Sequence, residues 1–267
     1  MPIVIMLLSA FAIIALVKYG LVPGIDRLSA AQGWSLKARG KATGYATSVP
    51  ELVALVAAGL SGVWEAGLWN IASSNLINMS LAAIAVLVFK RGGDLIDRRF
   101  AKELSFAGLG ILAPLVLMQA NADTHWGVIP VLLVLFGVYL MLDKGDGEIP
   151  DGQPAAGEVS AVSGFAMIAV SLGLIVVVGD FLGTATRDVV QIMGVPAIAA
   201  GWILGVVTSL PEAVTFFTVF SDKRAGGGED RKAQIQELLD NLAASNMSNS
   251  GLIYPLGLTI FLLGTAA

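Results

Sequence analysis

The sequence predicts an all-α integral membrane protein with about eight transmembrane helices in two inverted-topology repeats. Of its 267 residues, 56% are hydrophobic and 13% are charged, whereas a soluble domain carries about 25% charged residues. Apolar segments long enough to cross a bilayer recur along the chain, and two polar blocks each occur twice in the same order. Composition, segment length and internal repetition therefore favour the same fold class.

The composition also excludes several functional classes. The chain has no cysteine, so disulfides, cysteine-ligated zinc and thiol catalysis are ruled out. Its basic residues are scattered and its net charge is −4, so we expect no nucleic-acid partner. The single histidine, His125, falls in a polar turn, which is typical of a solvated loop residue. We expect membrane lipid around the protein, no enzymatic activity and no covalently bound cofactor.

Each predicted membrane span is an apolar segment close to the length of about 20 residues that a transmembrane helix needs. The first has the apolar run of a signal peptide, but no basic region precedes it and no A-x-A site follows it. We therefore expect it to remain as the first helix. The predicted spans are 2–25, 42–60, 66–89, 104–121, 126–142, 160–182, 195–220 and 238–263.

An acidic segment rich in Gly and Pro, 143–159, divides the chain into two halves. The first half, 1–142, contains the first repeat at about 40–89. The second half, 160–267, contains the second repeat at about 195–263. We expect the dividing segment to be a cytoplasmic linker.

Basic residues in the short connections predict the orientation of the chain. They concentrate in the first, third and seventh connections, whereas the second and fourth have none. Because basic loops stay in the cytoplasm, these three connections are predicted inside and both termini outside. We expect a prokaryotic plasma membrane, the cell inner membrane. The residues concerned are Arg27, Lys37, Arg39, Lys41, Lys90, Arg91, Arg98, Arg99, Lys102, Lys223, Arg224, Arg231 and Lys232.

The internal repeat consists of two aligned blocks. Residues 33–51 align without gaps with 194–212, and residues 70–78 align with 241–249. Five predicted spans separate equivalent positions, so the copies enter the membrane in opposite directions, as in transporters whose substrate site lies at the midplane. The matching residues of the first block are Gly33, Gly40, Gly44, Thr47, Ser48, Pro50 and Glu51, and in the second copy Gly194, Gly201, Gly205, Thr208, Ser209, Pro211 and Glu212.

The glutamates of the two copies, Glu51 and Glu212, are flanked by apolar stretches. A carboxylate inside a membrane helix costs from about 2.5 kcal/mol upward. A single one is explained by a hydrogen bond that ties helices together, but two at repeat-related positions indicate a shared site. We expect these two carboxylates to form its centre.

Other oxygen atoms precede each glutamate. Thr47 and Ser48 lie four and three residues before Glu51, on the same helical face. Pro50 has no N–H and disturbs the preceding turn, which frees a backbone carbonyl. Carboxylate, hydroxyl and carbonyl oxygens are hard ligands, suited to calcium or sodium. The second copy repeats the pattern with Thr208, Ser209 and Pro211.

The second block adds serines and asparagines at helical spacing. Such residues either bind cations or bridge membrane helices through hydrogen bonds. We expect ligand roles for Ser74 and Asn78 and for their counterparts Ser245 and Asn249. For the remaining pair, Asn75 and Asn246, both roles stay open.

These motifs resemble those of the calcium/cation antiporter superfamily, which includes the membrane region of sodium/calcium exchangers with its paired inverted α-repeats. Each α-repeat there carries a G-T-S-x-P-E-like block and a later G-S-N-x-x-[ND]-like block. In this chain the first block reads YATSVPE and VVTSLPE, and the second reads SSNLIN and ASNMSN. The match is specific in the repeats and depends on hydropathy elsewhere.

The resemblance implies sodium/calcium exchange by alternating access. Calcium would bind Glu51 and Glu212, helped by the backbone carbonyls of Thr47 and Thr208. Several sodium ions moving inward would drive one calcium ion outward. The implied sodium ligands are Ser48, Ser74, Asn78, Ser209, Ser245 and Asn249.

Three features depart from the family pattern. Family members usually have ten helices, and the counterparts of helices four and five are missing from the second half. Either lipid, a second copy or another partner covers that flank, or the sequence is incomplete. Lys37, Arg39 and Lys41 replace apolar residues where the second helix begins, either as snorkelling interfacial residues or as charges that change ion binding at Glu51. Both repeats end in Asn, where some members carry one Asp.

Three other functions fit parts of the sequence. An exchanger of the same fold that couples protons to calcium, or to another divalent cation, would use the same two glutamates. A non-transporting relative would bind cations without flux. The Gly-Asp pair at Asp180 faintly suggests an intramembrane aspartyl protease, but that chemistry needs a second aspartate on another helix, and no Tyr-Asp pair occurs in any span.

Overall fold

The computed structural model describes residues 1–34, 42, 45–95, 97–142, 160–221 and 228–266. Regular structure in this part of the chain is helical. Five helices are long and apolar enough to cross a membrane, and three shorter helices are also apolar. The prediction of a multi-pass α-helical membrane protein is therefore confirmed. The number of eight spans and the inverted topology remain predictions.

Several expectations fall outside the described residues and stay untested. They concern the basic residues at the start of the second helix, two glycines of the first repeat, the acidic linker and part of the seventh connection. These positions are Lys37, Arg39, Gly40, Lys41, Gly44, 143–159, Lys223 and Arg224.

The helices follow one another along the chain with short connections. Two short helical turns, Gly92–Leu95 and Arg98–Phe100, lie between α3 and α4, and a π-helical turn, Asn249–Ile253, joins α9 to α10. The helices are α1 (Pro2–Gln32), α2 (Tyr45–Leu60), α3 (Trp64–Val88), α4 (Ala101–Gln119), α5 (Val128–Leu142), α6 (Ala161–Ile192), α7 (Ala197–Thr208), α8 (Leu210–Ser221), α9 (Gly228–Ser248) and α10 (Tyr254–Ala266).

Three helices are longer than their predicted spans. The first, α1, continues to Gln32 and the sixth, α6, to Ile192, while α9, which contains the start of the last predicted span, begins at Gly228. Their added turns carry polar residues, which lower the mean hydropathy that marks a span. Buried apolar residues nevertheless recur there at helical spacing, as Ile235 and Leu239 do in α9. Hydropathy therefore places the ends of these spans inside longer helices, and the span ends themselves remain predictions.

The longer helices also place some charged residues differently from the prediction. Arg27 lies in α1, Lys102 in the first turn of α4 and Lys232 in α9, although all three were predicted in connections. Asp180, the aspartate of the Gly-Asp pair, lies within α6 and is exposed.

Small residues allow the helices to approach one another closely. A Cβ atom added to Gly201 of α7 would lie 2.7 Å from the carbonyl oxygen of Ala66 in α3. One added to Gly183 of α6 would lie 2.6 Å from that of Ala57 in α2. Such backbone contacts are typical of membrane helices, which pack through small residues.

The helices that carry the two repeats pack together at the centre of the molecule. α3 packs most extensively against α7, and α2 contacts both α3 and α10. On one side α1 and α6 pack together, and α6 contacts α2. On the other side α4 lies against α9 and α5 against α10. Large apolar side chains on the outside, such as Leu87 and Val176, are exposed, as a lipid-facing surface requires.

Candidate functional site

Both T-S-x-P-E segments interrupt their helices at the serine. Ser48 has φ −87° and ψ 1°, and Ser209 has φ −82° and ψ 2°, so the two copies share almost the same backbone conformation. Two residues later, Pro50 and Pro211 offer no N–H to the preceding turn. The disturbance that the prolines predict is present in both copies.

The glycines that open the aligned blocks also match. Gly33 at the end of α1 has φ +65°, and Gly194 after α6 has φ +70°. Glycine adopts this left-handed conformation without the steric cost of a Cβ atom, and it commonly ends helices in this way. Equivalent positions in the repeats therefore perform the same structural task.

The two glutamates lie in the interior and near each other. Glu51 is fully buried and Glu212 is 4% exposed, and they are close enough for their charges to interact. None of their four carboxyl oxygens makes a hydrogen bond within the described structure. That these two carboxylates form one cation site remains a prediction.

In the described part of the chain, six further buried side-chain oxygens have no hydrogen-bond partner. Two of them, on Glu103 and Ser248, do not form a repeat-related pair. The other four are the hydroxyls of Ser48 and Ser209 and the amide oxygens of Asn78 and Asn249. Together with the carboxyl oxygens they form a set of eight, four from each repeat, at matching positions. Buried polar atoms in proteins are nearly always hydrogen-bonded, so a matched set without partners is unusual.

Three of the predicted ligands use their hydroxyls to join helices. Thr208 Oγ1 donates to Asn70 Oδ1 at 3.2 Å and lies 3.1 Å from Ser74 Oγ, which links α7 to α3. Ser245 Oγ accepts from Asn78 Nδ2 at 3.1 Å. Thr208 is a neighbour of the Glu51 carboxyl and Ser245 of the Glu212 carboxyl. Thr47 is only partly buried.

The structure favours the helix-bridging alternative for Asn75 and Asn246. Both side chains are fully buried. Asn75 Nδ2 donates to the carbonyl oxygen of Gly110 at 2.8 Å, and Asn246 Nδ2 donates to that of Ala107 at 3.2 Å. Sequence reasoning did not foresee that α4 would contact both repeats. The sequence feature that reflects this contact is the small residue Gly110. A Cβ atom there would lie 2.7 Å from the backbone oxygen of Asn246.

The candidate site carries little charge. The described residues contain no group of three or more His, Cys, Asp or Glu that could hold a metal ion. Two carboxylates surrounded by neutral hydroxyl and amide oxygens form a donor set of the hard type that calcium and sodium prefer. Calcium affinity rises with the number of charged ligands. A set with two carboxylates therefore suits an ion that binds reversibly.

Comparison with known protein families identifies the chain. It matches the family described as sodium/calcium exchanger protein over residues 2–143 and 163–265, which includes both repeats. No curated protein and no solved structure matches it significantly. The resemblance that the repeat motifs indicated is thus confirmed over most of the chain, and the chain belongs to the sodium/calcium exchanger protein family, whose members are transporters.

Proposed function

We propose that this chain exchanges sodium for calcium by alternating access at a midplane site formed by Glu51 and Glu212. The observation that supports this most strongly is the set of eight buried oxygens, four from each repeat, that make no hydrogen bond to described residues. Cations supply the favourable interactions that protein donors do not. The family match supports cation exchange and leaves the choice of ions open.

The donor set suits the two ions differently. Calcium takes six to eight oxygen ligands, among them carboxylates that bind through one or both oxygens. In our proposal Glu51 and Glu212 neutralise one calcium ion, with the backbone carbonyls of Thr47 and Thr208 as further ligands. Sodium ions occupy the places formed by the same carboxylates and the neutral oxygens. These neutral ligands are Ser48, Ser74, Asn78, Ser209, Ser245 and Asn249.

The two adjacent carboxylates explain why transport would be coupled. Without a cation, two buried negative charges would face each other in a low-dielectric interior, where like charges repel strongly. Changing the side from which the site opens would be slow in that state. The loaded site is neutralised and changes sides readily, so one cation crosses inward only in exchange for another that crosses outward.

The second candidate is exchange of protons for calcium or another divalent cation. Each carboxyl group can carry one proton, which neutralises the same two charges that calcium neutralises. The observation that favours this candidate is that Glu51 and Glu212 account for all the charge in the set of eight repeat-matched oxygens. Proton coupling would need none of the neutral oxygens as sodium ligands.

The decisive experiment measures uptake of calcium-45 into proteoliposomes loaded with sodium and diluted into sodium-free buffer. We expect uptake that requires the outward sodium gradient and disappears in Glu212→Gln. Vesicles loaded with potassium are the ionic control. Glu65→Gln is the matched variant, because Glu65 is exposed at the start of α3, and it should transport normally.

Each other outcome has a definite meaning. Uptake driven by a proton gradient and indifferent to sodium would replace our proposal with the proton-coupled candidate. Absence of uptake under both gradients, with calcium binding retained, would identify a non-transporting relative. Sodium-driven uptake that survives Glu212→Gln would show that the exchange site lies elsewhere.

The proposal includes a location and an orientation. We place the protein in the prokaryotic plasma membrane with both termini outside, because the basic connections are then cytoplasmic. Membrane lipid would surround the protein, and a second copy or another partner would lie against the second half.

A further inference from the structure

Asn75 and Asn246 connect the two repeats crosswise. Asn75 belongs to the first repeat, and its amide oxygen accepts a hydrogen bond from Nδ2 of Asn249 in the second repeat at 2.8 Å. Asn246 belongs to the second repeat, and its amide oxygen accepts from Nδ2 of Asn78 in the first repeat at 3.4 Å. Each bridging asparagine thus holds the predicted sodium ligand of the other repeat.

The hydrogen bonds of Asn75 determine which end of its amide faces Asn249. Asn75 Nδ2 donates to the carbonyl oxygen of Gly110 at 2.8 Å. A carbonyl oxygen only accepts hydrogen bonds, so the nitrogen must be on that side and the oxygen must face Asn249. Asn249 therefore has to present its own nitrogen to Asn75. Its oxygen is turned away and belongs to the unpartnered set.

The same reasoning applies to Asn246. Its Nδ2 donates to the carbonyl oxygens of Ala107 and Asn75, both at 3.2 Å. Its oxygen must then face Asn78, whose nitrogen also donates to Ser245 Oγ at 3.1 Å. The oxygen of Asn78 is left without a partner, as that of Asn249 is.

A proline in α4 leaves the carbonyl oxygen of Gly110 free to accept the hydrogen bond from Asn75. In an α-helix the oxygen of Gly110 would accept from the N–H of residue 114. That residue is Pro114, inside α4, and it has no N–H. The carbonyl of Gly110 accepts instead from Asn75 Nδ2 and from Ser250 Oγ, the latter at 2.5 Å. The carbonyl oxygen of Gly110 in α4 is thus an acceptor for Asn75, which in turn contacts the second repeat.

The direction of these amides matters because their two ends are nearly equal in size and opposite in polarity. An oxygen pointing at a cation binds it, whereas an NH₂ group in the same place repels it. We propose that Asn75 and Asn246 are positioning residues that turn the amide oxygens of Asn249 and Asn78 toward the cation site. This role rests on the proposed function, and it assigns to each repeat the task of orienting a ligand of the other.

The first test compares sodium and calcium dependence. Each of the variants Asn75→Ala and Asn246→Ala releases one ligand amide. The sodium concentration that gives half-maximal calcium uptake should therefore rise about tenfold or more, because loss of a group that orients a metal ligand has an effect of this size. Calcium–calcium exchange, which uses Glu51 and Glu212, should keep its half-saturation much closer to that of the wild type. Asn75→Leu, which fills a similar volume, replaces Asn75→Ala if the smaller side chain prevents folding.

The second test is a double-mutant cycle that a general packing role would not reproduce. The readout is the rise in unfolding temperature that sodium causes in detergent, which needs no transport. Asn75→Ala should have no further effect in an Asn249→Ala protein and its full effect in an Asn78→Ala protein. Asn246→Ala should show the opposite pairing.

Ser250→Ala is the matched control. It removes a buried hydrogen bond to the same carbonyl of Gly110 and the bond that Ser250 Oγ accepts from Asn75 Nδ2 at 2.9 Å. Asn75 keeps its bond to Gly110, and the amides of Asn78 and Asn249 stay paired as before. We expect sodium half-saturation to stay at the wild-type value. A shift in Ser250→Ala equal to that in Asn75→Ala would overturn the positioning role, because loss of any hydrogen bond between these helices would then suffice.

The remaining outcomes separate this inference from the proposed function. A wild-type protein with neither sodium-driven uptake nor stabilisation by sodium would overturn the proposed function and the positioning role together. A wild-type protein that responds to sodium, with Asn75→Ala and Asn246→Ala responding at the same concentrations, would overturn the positioning role alone. Coupling of Asn75 to Asn78 instead of Asn249 would do the same.

Discussion

The two repeats agree most closely where they form the candidate site. Ser48 and Ser209 interrupt their helices with φ and ψ angles that differ by only a few degrees. Gly33 and Gly194 share a left-handed conformation at the ends of α1 and α6. The same short motif, read twice, produces the same backbone, because the conformations are imposed locally by proline and glycine.

The repeats differ in the helices that support the site. Asn78 lies within the regular helix α3, whereas Asn249 begins the π-helical turn between α9 and α10. Such turns are frequent at functional sites. Moreover, α4 follows the first repeat and contacts both repeats through the carbonyls of Ala107 and Gly110. Symmetry therefore holds for the T-S-x-P-E segments, whereas α4, a helix without a described counterpart, contacts the asparagines of both repeats.

The largest predicted difference between the repeats is that equivalent positions lie on opposite sides of the membrane. Gln32 and Met193 are repeat-related and exposed. The chain has no cysteine, so Gln32→Cys and Met193→Cys each carry one thiol. In intact right-side-out vesicles, an impermeant maleimide should label Met193→Cys and spare Gln32→Cys.

Permeabilised vesicles provide the control, since both thiols should then react. Equal labelling of the two variants in intact vesicles would contradict the predicted inverted topology. The midplane site between opposed repeats would lose its main support with it.

The next largest effect concerns the two carboxylates. Glu51→Gln and Glu212→Gln should each lower calcium uptake by at least about a hundredfold, because loss of a charged ligand should exceed the ten- to hundredfold effect of losing a group that only orients one. Glutamine keeps the size and one oxygen, so the proteins should still fold. The measurement is calcium-45 uptake alongside Glu65→Gln.

Equal losses would extend the symmetry of the backbone to function. If one variant transported normally, the two glutamates would have different tasks despite their matching positions. The shared site would then need revision.

A smaller effect should follow from moving α4 away from the repeats. A Cβ atom on Gly110 would lie 2.7 Å from the backbone oxygen of Asn246, whereas one on Gly108 meets nothing within 4 Å. Gly110→Ala should therefore lower the free energy of unfolding by about 1–3 kcal/mol, as overpacking does. Gly108→Ala, on the same helix, should leave it unchanged or raise it by about 0.5–1 kcal/mol.

Thermal unfolding in detergent measures both variants. If Gly110→Ala were as stable as Gly108→Ala, α4 would not be pressed against α9 as the structure describes. The role of α4 as a common reference for both repeats would then be lost.

The sequence predicts the candidate site better than it predicts the supports of that site. The motif containing Glu51 and Glu212 is local, so its spacing and its prolines indicate the helix breaks directly. The sequence leaves the role of Asn75 open, by contrast, although it predicts a ligand role for Asn78. Their different tasks depend on partners in α4 and in the other repeat, and no local pattern reveals such partners.

Hydropathy also predicts the cores of the helices better than their ends. The first turns of α9 mix charged residues with Ile235, Leu238 and Leu239, all of which are buried. A window average treats this stretch as a connection, although its apolar residues follow helical spacing. In α4, the spacing of Gly110 and Pro114 did contain a usable signal, because a proline four residues on always frees a carbonyl.

The smallest predicted effect tests how firmly the repeats are joined to each other. The hydroxyl of Thr208 donates to Asn70 in α3 at 3.2 Å, whereas that of Thr186 donates to Leu182 in its own helix at 2.7 Å. Both threonines are 1% exposed, and valine has nearly the same shape as threonine. Thr208→Val should lower the free energy of unfolding by about 1–2 kcal/mol, because it leaves the buried oxygen of Asn70 without a donor.

Thr186→Val should cost less, since the carbonyl of Leu182 keeps the N–H that it accepts from its own helix. Thermal unfolding of the two variants side by side measures the difference. If they were equally stable, the bond between α7 and α3 would add nothing beyond an ordinary intrahelical bond. Close packing at glycines such as Gly201 would then hold the two repeats together without help from the polar network, and that network would serve to orient ligands alone.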